Sequence, residues 1–201
     1  MNQSLKRLVI DSATPYLYIG LYEGLTLIDT YYEMGHNDHS VKLMDQLEYM
    51  LKMHQIKVKE LDEIIVGIGP GSYTGLRIGV VVAKMLAYSL DIPIYTVSSL
   101  ALLASSVKEE GLILPWVDAR RGHAFLGLYA LKDGQLSLVK KEEYTHLKTY
   151  TETLENIQEV TSSKPNLNRL LNSQLLKRVE DVHLVAPVYL RETEAERNLN
   201  G

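Results

Sequence analysis

A short pattern of residues occurs twice in this chain, the second copy 107 residues after the first, and it restricts the possible folds more than any other feature. The copies share four identical pairs, which are Asp11 and Asp118, Gly20 and Gly127, Leu21 and Leu128, and Tyr22 and Tyr129. In each copy an apolar strand ends at the aspartate, a second strand contains Gly-Leu-Tyr, and a hairpin-type turn leads to a third strand. The repeat predicts two units that each begin with three antiparallel strands.

The first copy continues with alternating helix and strand signals. These signals predict a helix over residues 38–54, a strand over 64–68, a helix over 73–90 and a strand over 94–97. A duplicated unit of this kind is the layout of the actin, sugar kinase and Hsp70 superfold (ASKHA), so we predict an α/β, two-lobed fold. Only 58 of the 201 residues follow Glu143, too few for a complete second copy. We expect a first lobe over residues 1–98 and a reduced second lobe over 99–201, whose C-terminal segment can pack back on the first.

A glycine-rich segment, Gly67–Gly75, precedes the second predicted helix. Backbone amides at a helix start attract anions, and Ser72 or Thr74 has a side-chain oxygen that can cap the helix. A mononucleotide P-loop requires lysine directly after its last glycine, but Leu76 and Arg77 stand there. The third glycine of a dinucleotide fingerprint is also missing. The segment therefore matches neither nucleotide-binding motif.

The second predicted helix carries a small residue at every fourth position, namely Gly75, Gly79, Ala83 and Ala87. This spacing places them in one groove, where another backbone can approach closely. The other faces are largely apolar, so we expect the helix to be buried on more than one side. Two interpretations are open: the groove packs inside the monomer, or it receives a partner protein, and the two can coexist.

Composition limits the environment of the chain. With 46% hydrophobic and 23% charged residues, the chain can form one sizeable core or two small lobes. It has no cysteine, which excludes disulfides and thiolate metal sites. The N-terminal residues do not resemble a signal peptide and no apolar run is long enough for a membrane span, so we expect a cytoplasmic protein without membrane contact. The net charge of −4 disfavours a large nucleic-acid footprint.

Six motifs together resemble one bacterial family. They are Ile10-Asp-Ser-Ala13, His39-Ser40, Gly69-Pro-Gly-Ser-Tyr-Thr-Gly-Leu-Arg-Ile-Gly79, Ser98-Ser-Leu100, Asp118-Ala-Arg120 and Pro187-Val-Tyr-Leu-Arg191. In this combination the chain resembles the TsaB proteins, densely over residues 8–122 and again over 187–196. The resemblance implies a non-catalytic partner of TsaD in the threonylcarbamoyl modification of adenosine 37 in tRNAs that read codons starting with adenine. It further implies that TsaC supplies threonylcarbamoyl-adenylate, that the TsaE ATPase joins through the complex, and that tRNA is contacted indirectly.

The resemblance also implies where the partner binds, because TsaB and its paralogue TsaD join through the first two helices of their N-terminal lobes. We therefore expect an interface formed by His39, Ser40, Val41, Met44, Leu47, Gly75, Arg77, Gly79 and Ala83. In this hypothesis Gly75, Gly79 and Ala83 allow close backbone approach and Arg77 lies at the rim. The same surface makes a homodimer plausible, since such interfaces are self-complementary.

Two enzymatic alternatives remain open. Asp11 and Asp118 could hold a hydrated Mg²⁺ across a cleft, as in a nucleotide-dependent transferase or ATPase, or each could cap a turn. We expect no firmly bound cofactor, with ATP and Mg²⁺ at most on the partner or the complex. A glycoprotease-type peptidase needs clustered metal ligands, but His-Glu-x-x-His is absent, and the close pair His36 and His39 straddles a predicted helix start. We therefore predict no catalytic residue and no metal site.

Two further features lie in the second half. The basic pairs Lys140-Lys141 and Lys177-Arg178 are candidate phosphate contacts for tRNA, although such pairs are more often solvated charge. Residues 166–179 are predicted to form a helix.

Overall fold

The structure, a computed structural model, describes residues 4–35, 38–152 and 154–191. In this part of the chain two mixed sheets and the helices that pack on them form two successive copies of one unit. The α/β, ASKHA-like architecture predicted from the repeat is confirmed.

The first copy contains a complete sheet and its two long helices. Its elements are β1 (Lys6–Asp11), β2 (Tyr16–Glu23), β3 (Thr26–Met34), α1 (His39–Met53), β4 (Glu63–Gly67), α2 (Tyr73–Leu90) and β5 (Ile94–Val97). The strand order is β5-β4-β1-β2-β3, with β1, β4 and β5 parallel, β2 antiparallel to β1, and β3 antiparallel to β2. The short helix α3 (Ser99–Ala104) then leads to the second copy.

The second copy is shorter. Its elements are β6 (Gly111–Asp118), β7 (His123–Lys132), β8 (Gln135–His146), α4 (Leu147–Thr151), β9 (Ile157–Val160) and α5 (Leu167–Leu171). Its strand order, β8-β7-β6-β9, repeats β3-β2-β1-β4 of the first sheet. At the places of the 15-residue α1 and the 18-residue α2 it has five-residue helices. The second lobe is reduced, as predicted, by loss of helix length.

The two copies differ in strand register. Asp11 pairs with Tyr18 in the first hairpin, whereas Asp118 pairs with Ala124 rather than with Phe125, the equivalent of Tyr18. Although the matching residues of the two copies are always 107 positions apart in sequence, the pairing of β6 with β7 is shifted by one residue relative to the pairing of β1 with β2. The turn between β6 and β7 is one residue tighter than the turn between β1 and β2.

The first sheet is buried on both faces. Alternate residues of β1 point to opposite sides, so Leu8 and Ile10 pack beneath α1 and α2 while Val9 faces α3 and the second sheet. A smaller apolar cluster, which includes Leu126 and Tyr150, joins the other face of the second sheet to α4. The first sheet is thus the central layer of the molecule.

The helix predicted over residues 166–179 is wrong. Helix α5 ends at Leu171, and strand β10 (Lys177–Val179) pairs antiparallel with β5 at the edge of the first sheet. Ser173 returns its hydroxyl to the Leu170 carbonyl at 2.7 Å, and a side chain that competes for backbone groups in this way favours a helix end. The chain therefore returns from the second copy to the first, while the boundary at residue 98 stays a prediction.

Candidate functional site

The glycine-rich turn leads from the buried strand β4 to the start of α2. Ser72 caps the helix as predicted, because its Oγ accepts a hydrogen bond from the Gly75 backbone N–H at 3.3 Å. The Gly69–Pro70 peptide is cis. The C-terminal segment crosses over the turn, where the Val188 N–H donates to the Ile68 carbonyl at 2.7 Å.

The small-residue groove of α2 is filled by the chain itself. The Ser12 hydroxyl donates to the Gly75 carbonyl at 2.7 Å and accepts from the Gly79 N–H at 3.1 Å. A Cβ at Gly75 would lie 2.1 Å from the Ser12 carbonyl oxygen, and a Cβ at Gly79 would lie 2.5 Å from Ser12 Oγ. The backbone that approaches closely is therefore the turn after β1.

Four of the residues that were expected in the partner interface are buried inside the molecule instead. Gly75, Gly79 and Ala83 pack against the molecule's own interior, and Leu47 is on the face of α1 that is buried in the core. The hypothesis that these small residues receive a partner backbone is wrong for this geometry, because the space is already occupied. A larger side chain at Gly79 would disturb the contact with Ser12 and so would report on folding.

The solvent-facing side of α2 carries a different set of residues. Arg77, Val81, Met85 and Tyr88 follow each other at steps of four, four and three, so they form one stripe along the helix. Val81 is 52% exposed, Met85 63% and Tyr88 66%. Such large apolar side chains at helical spacing on a surface mark a candidate protein contact.

Helix α1 adds a second part to this candidate surface. Val41 is 62% exposed, Met44 is 48% exposed and Ser40 is also exposed, so these three predicted positions do face solvent. Helices α1 and α2 are in contact with each other. We call Val41, Met44, Val81, Met85 and Tyr88 the apolar stripe.

His39 lies at the inner side of the start of α1. Its ring packs against Gly35 and its Nε2 is 3.5 Å from the Thr14 carbonyl oxygen. Its Nδ1 is buried without a hydrogen-bond partner in the structure. His36 and Glu192 to Glu196 lie outside the described residues, and within residues 4–35, 38–152 and 154–191 no three His, Asp or Glu side chains are grouped as a metal site.

Asp11 ends β1 and is only 4% exposed. Its Oδ1 accepts hydrogen bonds from Ser99 Oγ at 2.8 Å and from the Ala13 N–H at 3.2 Å. Gly67 covers the carboxylate so closely that a Cβ there would lie 2.3 Å from Oδ1. Burial raises the pKa of Asp11 to about 6, against the opposing effect of these hydrogen bonds.

Asp118 ends β6 and, unlike Asp11, is exposed. Its Oδ1 accepts a hydrogen bond from the Arg120 N–H at 2.9 Å. Both aspartates therefore stabilise the turn that follows their strand, which is the alternative to the magnesium site. The internal repeat preserves this hydrogen bond, from the backbone N–H two residues after the aspartate, in both lobes.

A cleft of about 660 Å³ lies between the two lobes. It is bounded by the start of α2, by the turn after β6 and by residues 188–191 of the C-terminal segment. Its walls carry Arg120, Arg121 and Arg191 together with aromatic rings that include Tyr73 and Tyr144. We call this the arginine cleft. Arg120 and Arg191 belong to two of the sequence motifs, but no local signal joins them, because about 70 residues separate them.

The strand orders and the duplicated unit define the class of protein, a two-lobed α/β protein of the ASKHA type with a shortened second lobe. A family model described as "TsaD: tRNA N6-adenosine threonylcarbamoyltransferase" matches residues 33–164. The tRNA threonylcarbamoyladenosine biosynthesis protein TsaB of Bacillus subtilis is 36% identical, over 94% of this chain and 95% of that protein. The chain belongs to the TsaB family.

Other relatives agree with this assignment. The TsaB protein of Escherichia coli is 27% identical over 62% of this chain and 55% of that protein. The crystal structure of a Pseudomonas aeruginosa protein described as similar to peptidase YeaZ has a TM-score of 0.77 at 23% identity, and covers 93% of this chain and 100% of its own. That likeness establishes the fold. Across the described parts of the chain, none of the helices has the length and apolar character that crossing a membrane requires.

Proposed function

We propose that this chain is a non-catalytic subunit that pairs with a TsaD protein in the biosynthesis of tRNA threonylcarbamoyladenosine. Its TsaB relatives carry that biosynthetic role in their names. The observation that carries the pairing is the apolar stripe, which leaves large side chains of two adjacent helices in solvent.

The protein that covers the apolar stripe is inferred from the similarity between this chain and the TsaD family. The TsaD family model matches residues 33–164, a range that includes both α1 and α2. A TsaD protein therefore has a corresponding helix pair. Two homologous helix pairs can meet about a pseudo-two-fold axis, because each presents a similar surface to the other.

We propose a non-catalytic role because of the environment of the two aspartates. Asp11 is enclosed by Gly67 and Ser99, and Asp118 accepts from its own turn. Catalysis is assigned to TsaD, and ATP with Mg²⁺ to the partner or to the complex that includes TsaE. The tRNA is reached indirectly, in keeping with the net charge of −4, and the reaction takes place in the cytoplasm, where tRNA is used.

Val81→Arg tests the pairing. The substitution places a charge in the middle of the apolar stripe, where binding would remove it from water, so we expect the affinity for TsaD of the same organism to fall by about tenfold or more. Isothermal titration calorimetry measures the dissociation constant. Threonylcarbamoyl transfer to tRNA by the reconstituted mixture should fall in parallel.

Val139→Arg is the matched control. Val139 on β8 is 54% exposed, so it offers the same side chain at nearly the same exposure as Val81 but on the other lobe. Its substitution should leave both TsaD affinity and the melting temperature unchanged. The proposal fails if Val81→Arg is folded and binds TsaD as tightly as the wild type, or if both variants lose the same affinity.

In the absence of TsaD the same stripe is proposed to join two copies of this chain. Both copies present identical α1 and α2 surfaces, which is the condition for a two-fold symmetric dimer. This homodimer would compete with the heterodimer for the same residues.

A further inference from the structure

We propose that the two α2 helices lie antiparallel in the homodimer proposed above, on which this inference rests. In this arrangement Arg77 of each copy enters a pocket at the C-terminal end of α2 of the other copy and pairs there with Asp91. The two residues thereby set the orientation in which one apolar stripe meets another. The partner that fits this surface is a second copy of this chain.

A pocket of about 630 Å³ adjoins the apolar stripe at its Tyr88 end. It lies between the end of α2 and strand β10, and its walls include Tyr88, Asp91, Ile92 and Glu180. We call it the end pocket. Because Tyr88 belongs both to the apolar stripe and to the end pocket, the two surfaces are continuous.

The charge of the end pocket favours a cation. Its described charged residues are Asp91, Glu180 and Arg178, and the last two pair with each other at 3.6 Å. Asp91 is exposed and forms no ion pair with any described residue. It also directly follows the last residue of α2, where the carbonyl end of the helix dipole repels an anion. A cationic group from another molecule would therefore be attracted to this end of the helix.

Arg77 places a cation near the other end of the apolar stripe. Its guanidinium donates to two phenols, the hydroxyl of Tyr73 and the hydroxyl of Tyr189 at 3.2 Å, and within the described residues it pairs with no carboxylate. The guanidinium lies 4.1 Å from the centre of the Tyr73 ring, one turn earlier in the helix. The side chain is thus held toward the N-terminal end of α2, and its charge remains available to a partner.

An antiparallel arrangement of the α2 helices brings these opposite charges together. Arg77 and Tyr88 are about 16 Å apart along the helix, with Val81 and Met85 between them. A two-fold axis perpendicular to the helix places Arg77 of one copy beside Tyr88 of the second, where the ring can also make a cation–π contact. The guanidinium points outward from that position, toward Asp91. A parallel arrangement would instead set like charges against each other at both ends.

Asp91→Asn tests the arrangement by sedimentation velocity over a range of protein concentrations. Asparagine keeps the left-handed backbone of Asp91, whose φ is 52°, but removes the charge. We expect the dimer dissociation constant to rise about five- to tenfold, because a symmetric dimer contains the pair twice. The melting temperature should stay equal or rise, because an anion at the negative end of the helix dipole is lost. A purely structural role of Asp91 would not weaken the dimer without weakening the fold.

Asp133→Asn is the matched control, since Asp133 is also exposed and left-handed, at a φ of 50°, but lies in the turn between β7 and β8 on the second lobe. It should leave the dimer dissociation constant unchanged. Arg77→Gln should weaken the dimer as much as Asp91→Asn does. The double variant Arg77→Gln/Asp91→Asn should be no weaker than either single variant, because both remove the same contact.

The antiparallel arrangement is overturned if Asp91→Asn dimerises as tightly as the wild type, if the losses of the two single variants add in the double variant, or if Asp133→Asn loses as much. If Val81→Arg dissociates the dimer and Asp91→Asn does not, the apolar stripe keeps its proposed role and the arrangement alone fails. A wild type that is monomeric at every concentration overturns both the homodimer and the arrangement. Pairing with TsaD is judged separately, by the calorimetric titration of Val81→Arg.

Discussion

Asp11 carries a carboxyl group that the fold removes from water. Burial raises its pKa from the ordinary value of 3.8 to about 6, so the folded state holds the proton more tightly than the unfolded chain. The folded protein therefore favours the protonated, neutral form of the Asp11 carboxyl. Stability from this group is complete below about pH 4 and is lost as the pH rises through about 6.

We expect Asp11→Asn to remove this dependence. At about 1.4 kcal/mol per pKa unit, the free energy of unfolding of the wild type should fall relative to the variant by up to about 3 kcal/mol between pH 4 and pH 7. The asparagine oxygen can still accept from Ser99 and Ala13. Urea denaturation at both pH values measures the difference.

Asp118→Asn supplies the comparison, since Asp118 is the equivalent residue of the second copy but is exposed. Both variants are compared with the wild type at the two pH values. A pH-independent difference for Asp11→Asn would show that the Asp11 carboxyl ionises equally in the folded and unfolded states.

At the scale of elements, each of the two Gly-Leu-Tyr strands places a tyrosine ring next to the glycine two residues earlier. In β2 the ring of Tyr22 lies across Gly20, and in β7 the ring of Tyr129 lies across Gly127, two residues earlier in each case. A Cβ on Gly20 would lie 2.5 Å from the Tyr18 hydroxyl oxygen and 2.8 Å from the Tyr22 ring, whereas a Cβ on Gly127 would lie 2.9 Å from Glu142 Cγ and 3.4 Å from the Tyr129 ring. The repeat in sequence therefore records a shared contact as well as a shared strand.

Glu142 connects elements of both copies. Its Oε1 accepts hydrogen bonds from the hydroxyl of Tyr129 on β7 and from Ser98, the N-cap of α3. Burial, followed by the nearby Glu142 charge, raises the pKa of Tyr129 well above its usual range. The carboxylate thus satisfies a buried hydroxyl and holds the cap that begins the connection between lobes.

Glu142→Ala should lower the free energy of unfolding by about 1–3 kcal/mol, because it leaves the Tyr129 hydroxyl without its acceptor. Chemical denaturation followed by circular dichroism measures the loss. Glu143→Ala, one residue along the same strand, removes an exposed pair with Lys140 at 3.6 Å and should cost about 0.5 kcal/mol or less. Equal losses would contradict the assignment, and adding Tyr129→Phe to Glu142→Ala should recover part of the stability.

At the scale of the whole molecule, the loss of helix length in the second lobe leaves the two lobes with different surfaces. The first lobe presents the apolar stripe on two long helices. The arginine cleft lies where the second lobe meets the first lobe. Arg77 lies where the two surfaces come together, over the ring of Tyr73 at 4.1 Å and within 3.2 Å of the Tyr189 hydroxyl. Its predicted place at the rim of the interface stays a prediction.

The proposed homodimer gives a test on this scale. Sedimentation velocity of the free protein should show a dimer fraction that grows with concentration, and TsaD should displace it. Val81→Arg should shift the protein to the monomer while Val139→Arg should not. A concentration-independent monomer in the wild type would remove the homodimer from the proposal and leave the heterodimer untouched.

Elements with local signals can be predicted from the amino-acid sequence alone. Alternating apolar residues gave the strands, and the cap at Ser72 with the apolar helix beyond it gave α2 at its observed bounds, Tyr73–Leu90. The 107-residue repeat was sufficient to predict the two-lobed fold, because each copy carries the same aspartate, glycine, leucine and tyrosine. The signals for each strand, cap and helix are contained in the residues of that element or in its immediate neighbours in sequence.

Tertiary structure alone decided which partners those elements meet. The spacing of Gly75, Gly79 and Ala83 correctly required a close neighbour, but only the fold shows that this neighbour is Ser12, 63 residues before Gly75. The same is true of Arg191, which reaches the cleft because β10 returns the chain to the first sheet. Periodicity fixes the face of a helix that is buried, whereas long-range chain path fixes what buries it, and that path is set by packing between distant segments.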